Sequence, residues 1–321
     1  MLLVLFALLV TVETLRASGW LDLLVARSVR RFRSARAFAL ALVAFSGLLA
    51  CLVTNDVALF VVIPFTIIAG RMSDFDVEDV VILEIVSANV IGCLTPLGNP
   101  QNLFVFHRSG WSAMHFVAVM APLVAWCAVG LVASLFLLKR SRELVNSETA
   151  LPPRNDRMAL AGAICFALVV LEVLRVTSAW PAAIAALVAG VFFLKRRMLA
   201  IDFSIIAIFF VAFLAIGWLQ SFGWTLSTNL YVTGIALSQV ISNVPATMLL
   251  SSFTSDWREL LYAVNAGGCG TIIASLANLL GWRIYVRESG REPRFFRRLT
   301  AINFVFLGWV ATGGWLLLKT Q

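Results

Sequence analysis

Leu94-Thr95-Pro96-Leu97-Gly98-Asn99-Pro100-Gln101-Asn102-Leu103 lies inside an apolar run, 79–107, yet it cannot continue as a helix. Pro96 and Pro100 each remove a backbone donor, and they push the residues before them off helical dihedrals, while Gly98 loosens the turn between them. An apolar segment long enough to cross a bilayer is therefore interrupted at its polar centre. Irregular backbone at that depth survives only where protein or a wet cavity surrounds it.

The interruption occurs twice. Asn89-Val90-Ile91-Gly92-Cys93-Leu94-Thr95 and the residues to Leu103 align without gaps on Asn265-Ala266-Gly267-Gly268-Cys269-Gly270-Thr271 and the residues to Leu279. Asn99 meets Ser275 and Asn102 meets Asn278. Upstream, Thr54-Asn55-Asp56 corresponds to Ser242-Asn243-Val244, and Ser18-Gly19-Trp20 to Phe222-Gly223-Trp224. Three matches in one order indicate internal duplication. The second copy has no proline in its interruption, so its glycines serve either unwinding or close helix packing.

The surroundings are those of a membrane protein. Of 321 residues, 61% are hydrophobic and 13% charged, against about half and a quarter in soluble domains. Apolar segments fall near 1–15, 38–69, 79–107, 112–138, 158–175, 178–194, 203–222, 226–253, 258–285 and 299–318. No basic stretch precedes the first, so it reads as a span rather than a secretory leader. The five cysteines all lie in apolar runs with no CxxC pair, which argues against a disulfide or metal framework.

Segments 38–69 and 226–253 carry polar clusters at their centres, and both read as re-entrant hairpins that turn at those clusters. The first is too long for one span and too short for two. Charge supports this: with both re-entrant, 21 Lys and Arg fall on one side and 4 on the other, whereas crossing would divide them 14 to 11. The net charge of +8 thus marks a cytoplasmic face and not a nucleic-acid partner.

These readings predict an all-α polytopic membrane protein, an inverted-repeat transporter fold with about eight crossing segments, two re-entrant hairpins and two interrupted helices. Residues 1–138 form the first repeat, 139–157 a cytoplasmic linker and 158–321 the second, inverted repeat, with both termini outside and the chain multi-pass in the cell membrane. The first repeat lacks counterparts of two spans, 158–175 and 178–194; the chain is either a compact variant or starts upstream of Met1. Arg16 to Arg36 is an amphipathic helix on the cytoplasmic face or a solvated loop. Glu172 and Arg175 read as a surface pair.

Chemistry concentrates where the polar clusters meet the interruptions. Thr54, Asn55, Thr95, Gly98, Asn99 and Asn102 in one copy, and Ser242, Asn243, Thr271, Ser275 and Asn278 in the other, offer amides, hydroxyls and freed carbonyls to an ion or substrate. The alternatives are a proline kink without a ligand and simple capping of the hairpins. Asp56, a lone acid at mid-membrane depth, carries a proton or sodium role, or makes a structural bond to the opposite broken helix. No HExxH, GxSxG or intramembrane aspartate pair supports an enzyme. A non-transporting structural homologue is the remaining alternative, and no cofactor beyond a coupling sodium or proton is expected.

Leu52-Val53-Thr54-Asn55-Asp56 with Pro64, the segment Leu94–Leu103, Ile241-Ser242-Asn243-Val244-Pro245-Ala246, and Gly267-Gly268 through Thr271 to Ser275 resemble the ion transporter superfamily. Within it they are most similar to the citrate-transporter-like anion permeases, kin of divalent-anion/sodium symporters and of arsenite and sodium/proton antiporter permeases. The resemblance implies a homodimer working by an elevator motion on a small anionic solute. It also implies sodium at Thr54, Asn55 and Asn99, and again at Ser242, Asn243 and Ser275. The tips read Thr-Asn-Asp and Ser-Asn-Val, where the symporters carry Ser-Asn-Thr.

Overall fold

The computed structural model describes residues 2–29, 32, 34–72, 76–137, 153–173, 176–201, 203, 206, 207, 210, 229–290 and 292–320. Most of the linker 139–157 and of segment 203–222, the triplet Phe222-Gly223-Trp224, and Arg175 lie outside them. Among the described residues the regular structure is entirely helical, as the apolar pattern predicts.

Two compact units emerge, Met1–Ala39 with Pro64–Val77 and Arg140–Val211, and Leu40–Ile63 with Glu78–Lys139 and Ala212–Gln321. In the first, α1 (Leu2–Ala17) packs on α8 (Asp156–Val173) and α9 (Ala179–Ala189). The helix α2 (Trp20–Val29) begins where the Trp20 indole N–H donates to Asp156 at 2.9 Å, and Arg154 lies 5.9 Å over the same ring. The helical reading of 16–36 thus holds over Trp20–Val29.

The second unit holds the interruptions. The helices α3 (Ala35–Leu52) and α4 (Asn55–Met72) contribute to both units and are separated only by Val53 and Thr54. After α5 (Val77–Val90) comes a single 3-10 turn, Gly92–Leu94, then extended backbone at Thr95 and at Asn99, then α6 (Pro100–Ser109). The long α7 (Ala113–Leu137) follows. The second copy runs α10 (Leu230–Ile241), α11 (Asn243–Leu250), α12 (Trp257–Gly267), α13 (Leu276–Ser289) and α14 (Glu292–Lys319).

Each break follows from its residues. Pro100 starts α6, where its missing N–H costs nothing, and its ring forces Asn99 into an extended conformation, φ −144° and ψ 143°. Ser275 does without a proline by accepting a bond from Ala277 N–H at 3.3 Å, and it adopts nearly the same backbone, φ −138° and ψ 142°. Gly270 supplies a φ of +107° that a side chain would resist.

The outer helices expose what lipid would cover. Only 33% of the apolar stretch of α7 and 28% of that of α14 is buried, and Val129, Val132, Phe136, Phe304 and Val305 face outward. These two helices and α3 are, among the described residues, long and apolar enough to cross a membrane. Specific polar contacts join α7 to α14 and α14 to α5. The indoles of Trp126 and Trp309 stack at 4.5 Å and each donates to the other's carbonyl, at 2.9 and 3.0 Å. Arg298 of α14 pairs with Glu78 at 3.1 Å and with Asp79, both in the first turn of α5.

One sequence argument needs correction. Segment 38–69 was expected to be too short for two spans, yet α3 and α4 extend past both of its ends to 18 residues each. At 1.5 Å per residue each is about 27 Å long, so length does not decide how deep this hairpin reaches. The second hairpin differs: α10 has 12 residues and α11 has 8, about 18 and 12 Å, neither enough for roughly 30 Å of hydrocarbon.

Candidate functional site

The first hairpin ends against the first break. The Asn55 N–H donates to Gly98 O at 2.8 Å, and Thr95 Oγ1 donates to Cys51 O at 2.6 Å. Gly98 is obligatory there, because a Cβ would collide with the Gly92 carbonyl. Thr54 caps α4, accepting from Val57 N–H at 3.3 Å.

The second hairpin meets the second break through bonds at aligned positions. The Asn243 N–H donates to Ala274 O at 2.9 Å, and Thr271 Oγ1 donates to Gln239 O at 3.0 Å. Ser242 makes the turn with φ +74°, its hydroxyl 3.4 Å from Ala274 O. Contacts advance in step along α10 and α12, from Tyr231 with Glu259 at 3.0 Å to Gln239 with Gly267 at 2.8 Å. The two helices therefore run parallel and are interrupted at one level.

Side-chain amides tie the two copies together in two clusters, one around Asn89 and one around Asn265. Asn102 Nδ2 donates to Cys93 O and Thr95 O at 3.0 and 3.3 Å, while its Oδ1 accepts from Asn265 at 2.8 Å. Asn278 does the same in the other copy, donating to Gly268 O and Thr271 O, both at 3.1 Å, and accepting from Asn89 at 2.8 Å. The Asn89 Oδ1 also accepts from Asn55 and Ser275, each at 3.0 Å, and Gln101 donates to Asn265 at 3.1 Å. All of these amides are at least 95% buried, so each bond replaces water that is excluded.

Every candidate binding residue named in the sequence thus lies at or beside one of the junctions, but not all are open to a ligand. Asn102 and Asn278 spend their amides holding break carbonyls, and several carbonyls expected to be free are capped in this way. Two acceptors are different: Asp56 Oδ1 and Asn99 Oδ1 are buried and have no hydrogen-bond partner among the described residues. Asn99 Nδ2 makes one long bond, 3.4 Å, to Asn89 O. Sequence reasoning missed Asn89, Gln101, Gln239 and Asn265. The first and last stand in one column of the internal alignment, which was the available signal; Gln101 and Gln239 have no amide opposite them.

The junctions also gather helix ends. The N-termini of α4, α6, α11 and α13 open at them, as do the C-termini of α3, α10 and α12. N-termini carry partial positive charge and C-termini partial negative charge, so one buried region offers fields suited to an anion and to a cation.

Helices broken at buried polar junctions within an apolar chain are a construction used by membrane transporters. The chain belongs to the citrate transporter family, which matches residues 1–256. It is 32% identical to the inner membrane protein YbiR of Escherichia coli, over 97% of this chain and 85% of that one. It is 33% identical to the uncharacterized transporter MJ0456 of Methanocaldococcus jannaschii, over 87% and 79%. A shorter match, 25% identical over 41% of the chain and 31% of the relative, is to the uncharacterized transporter Rv2684 of Mycobacterium tuberculosis.

Proposed function

We propose that the chain is a secondary transporter of a small organic or inorganic anion, coupled to sodium or protons, with its binding site at the paired junctions. The convergence of four helix N-termini carries this reading, because it supplies positive potential from backbone alone. Asn55 and Asn243, at the first positions of α4 and α11, contact the anion between them. The cation sits beside it at the first junction, on Thr54, Asn55, Asp56 and Asn99.

In this reading the halves are inverted copies and both hairpins are re-entrant. The short α10 and α11 support that for the second hairpin. For the first, α6 adds about 15 Å of helix beyond the level at which Asn55 meets Gly98, which favours a tip at partial depth. An elevator motion of a dimer, in the inner or plasma membrane with both termini outside, completes the proposal.

Thermal-shift ranking of carboxylates, sulfate, phosphate and arsenite on purified protein selects the solute, and flux into proteoliposomes under imposed sodium and pH gradients tests the rest. Uptake should follow one of the gradients and fall at least tenfold in Asn55→Ala and in Asn243→Ala. Uptake indifferent to both substitutions would remove the site. The buried Asp56 carboxylate favours a second reading, sodium/proton antiport or arsenite-type oxyanion efflux. On that reading Asp56→Asn abolishes proton coupling, and unchanged coupling excludes it.

A further inference from the structure

The junctions share a plan but are finished differently. Gln239, four residues ahead of Asn243, turns its carboxamide into the second break. Its Nε2 donates to Gly267 O at 2.8 Å and Cys269 O at 3.0 Å, and its Oε1 accepts from Thr271 N–H at 2.9 Å. The aligned residue in the first copy is Cys51, whose thiol reaches only Ile91 O, at 3.2 Å, the counterpart of Gly267 O. A thiol is one weak donor; a carboxamide N–H pair is two good ones.

The acceptors around them differ in the same sense. At the second junction Ala274 O takes both Asn243 N–H and the Ser242 hydroxyl, Ser275 spends its hydroxyl on Asn89, and Val244 stands where the first copy has Asp56. At the first junction Asp56 Oδ1 and Asn99 Oδ1 keep their lone pairs.

We propose that the second junction takes no coupling ion, because the Gln239 carboxamide is a tethered stand-in for one, and that the first junction alone binds the coupling cation through Asp56 and Asn99. The inference rests on the coupled-transport reading above and refines its stoichiometry. An N–H pair meets carbonyl oxygens as a cation does, with partial positive charge aimed at their lone pairs. Being covalently held, it neither leaves nor moves charge across the membrane, so the second half stabilises its break without drawing on a gradient.

The test uses full-length protein in detergent, with melting temperature measured in sodium chloride and in choline chloride at pH 7 and pH 9. Gln239→Glu is isosteric but sets a carboxylate oxygen against two carbonyls, a repulsion that a bound cation relieves. It should melt about 10 °C below the wild type in choline and recover at least half of that in sodium. The recovery should persist in the Gln239→Glu/Asp56→Asn double variant, while Asp56→Asn alone should lose whatever sodium response the wild type has. Gln239→Cys, which copies the first junction, should change the sodium response from one-site to two-site. Sodium-insensitive melting of both Gln239 variants, or a sodium response retained by Asp56→Asn alone, would overturn the proposal. Sodium rescue of Gln239→Glu in a protein whose anion uptake ignores sodium and proton gradients would count against the coupling reading and leave the role of Gln239 standing.

Discussion

The two hairpin junctions perform one geometric task with different materials. The first uses two 18-residue helices, a turn at Val53 and Thr54 without positive φ, prolines to break the opposing helix, and an acid at its tip. The second uses helices of 12 and 8 residues, a strained Ser242, glycines in place of prolines, and a glutamine whose carboxamide holds the break. What both retain is the pair of backbone bonds from Asn55 and Asn243 to the facing break, and the asparagines that hold the break carbonyls. The lesson is that the backbone arrangement is the invariant, while each copy reaches it, and closes or opens it, with its own side chains.

The largest expected effect breaks the first junction alone. Gly98→Ala drives a methyl group into the Gly92 carbonyl, a backbone atom that cannot swing aside, whereas the aligned Ala274 already carries that methyl. We expect a loss above about 4 kcal/mol, seen as failure to recover monodisperse protein, while Ala274→Gly costs about 1 kcal/mol or less. Equal effects at the two positions would mean that the breaks are packed alike.

Next come the asparagines that tie the copies together. Asn89→Leu leaves Asn55 Nδ2, Ser275 Oγ and Asn278 Oδ1 without their bonds, and Asn265→Leu leaves Gln101 Nε2 and Asn102 Oδ1. Losses of about 3 and about 2 kcal/mol are expected by thermal unfolding in detergent. The two clusters share no side-chain hydrogen bond among the described residues, so the double variant should cost about the sum. A loss well below the sum would show that the clusters fail together.

Much of this was legible beforehand, and the reasons are specific. Proline chemistry marks the first break from Thr95 to Asn99, and the ungapped alignment carries it to Thr271 and Ser275. What stayed hidden depends on tertiary approach. No local pattern tells that Asn102 will find Asn265, 163 residues away, or that it will cap carbonyls instead of exposing them to a ligand. Gln239 has only Cys51 opposite it, so the duplication could not point to it. The polar cluster marked the turn at Ser242 but not its positive φ, because a residue held at φ +74° is usually glycine and the sequence offers none there.

That strain supplies a smaller test of the same contrast. A positive φ costs a serine of order 1 kcal/mol that glycine avoids, and the hydroxyl it would lose makes only a 3.4 Å bond. Ser242→Gly should therefore stabilise the protein by about 1 kcal/mol. Thr54→Gly should destabilise it by roughly a few tenths of a kcal/mol, since Thr54 caps α4 and needs no unusual dihedral. Opposite signs in thermal unfolding are the expected outcome, and matching signs would erase the distinction between the turns.

The smallest stability effect is expected at the residue with the largest proposed role. Asp56 is 5% exposed, its Oδ1 lacks a partner among the described residues, and burying such a group opposes folding. It also sits in the first turn of α4, where a carboxylate gains from the positive end of the helix. The terms oppose, so Asp56→Asn in choline should change stability by less than about 1 kcal/mol. A residue kept for packing or for a structural bond would not behave so: replacing it would cost stability and leave any response to sodium intact. Near-neutral unfolding in choline together with a vanished difference between sodium and choline assigns Asp56 to the cation. A clear loss of stability with the sodium response preserved assigns it to the scaffold, and the first junction would then be as closed as the second.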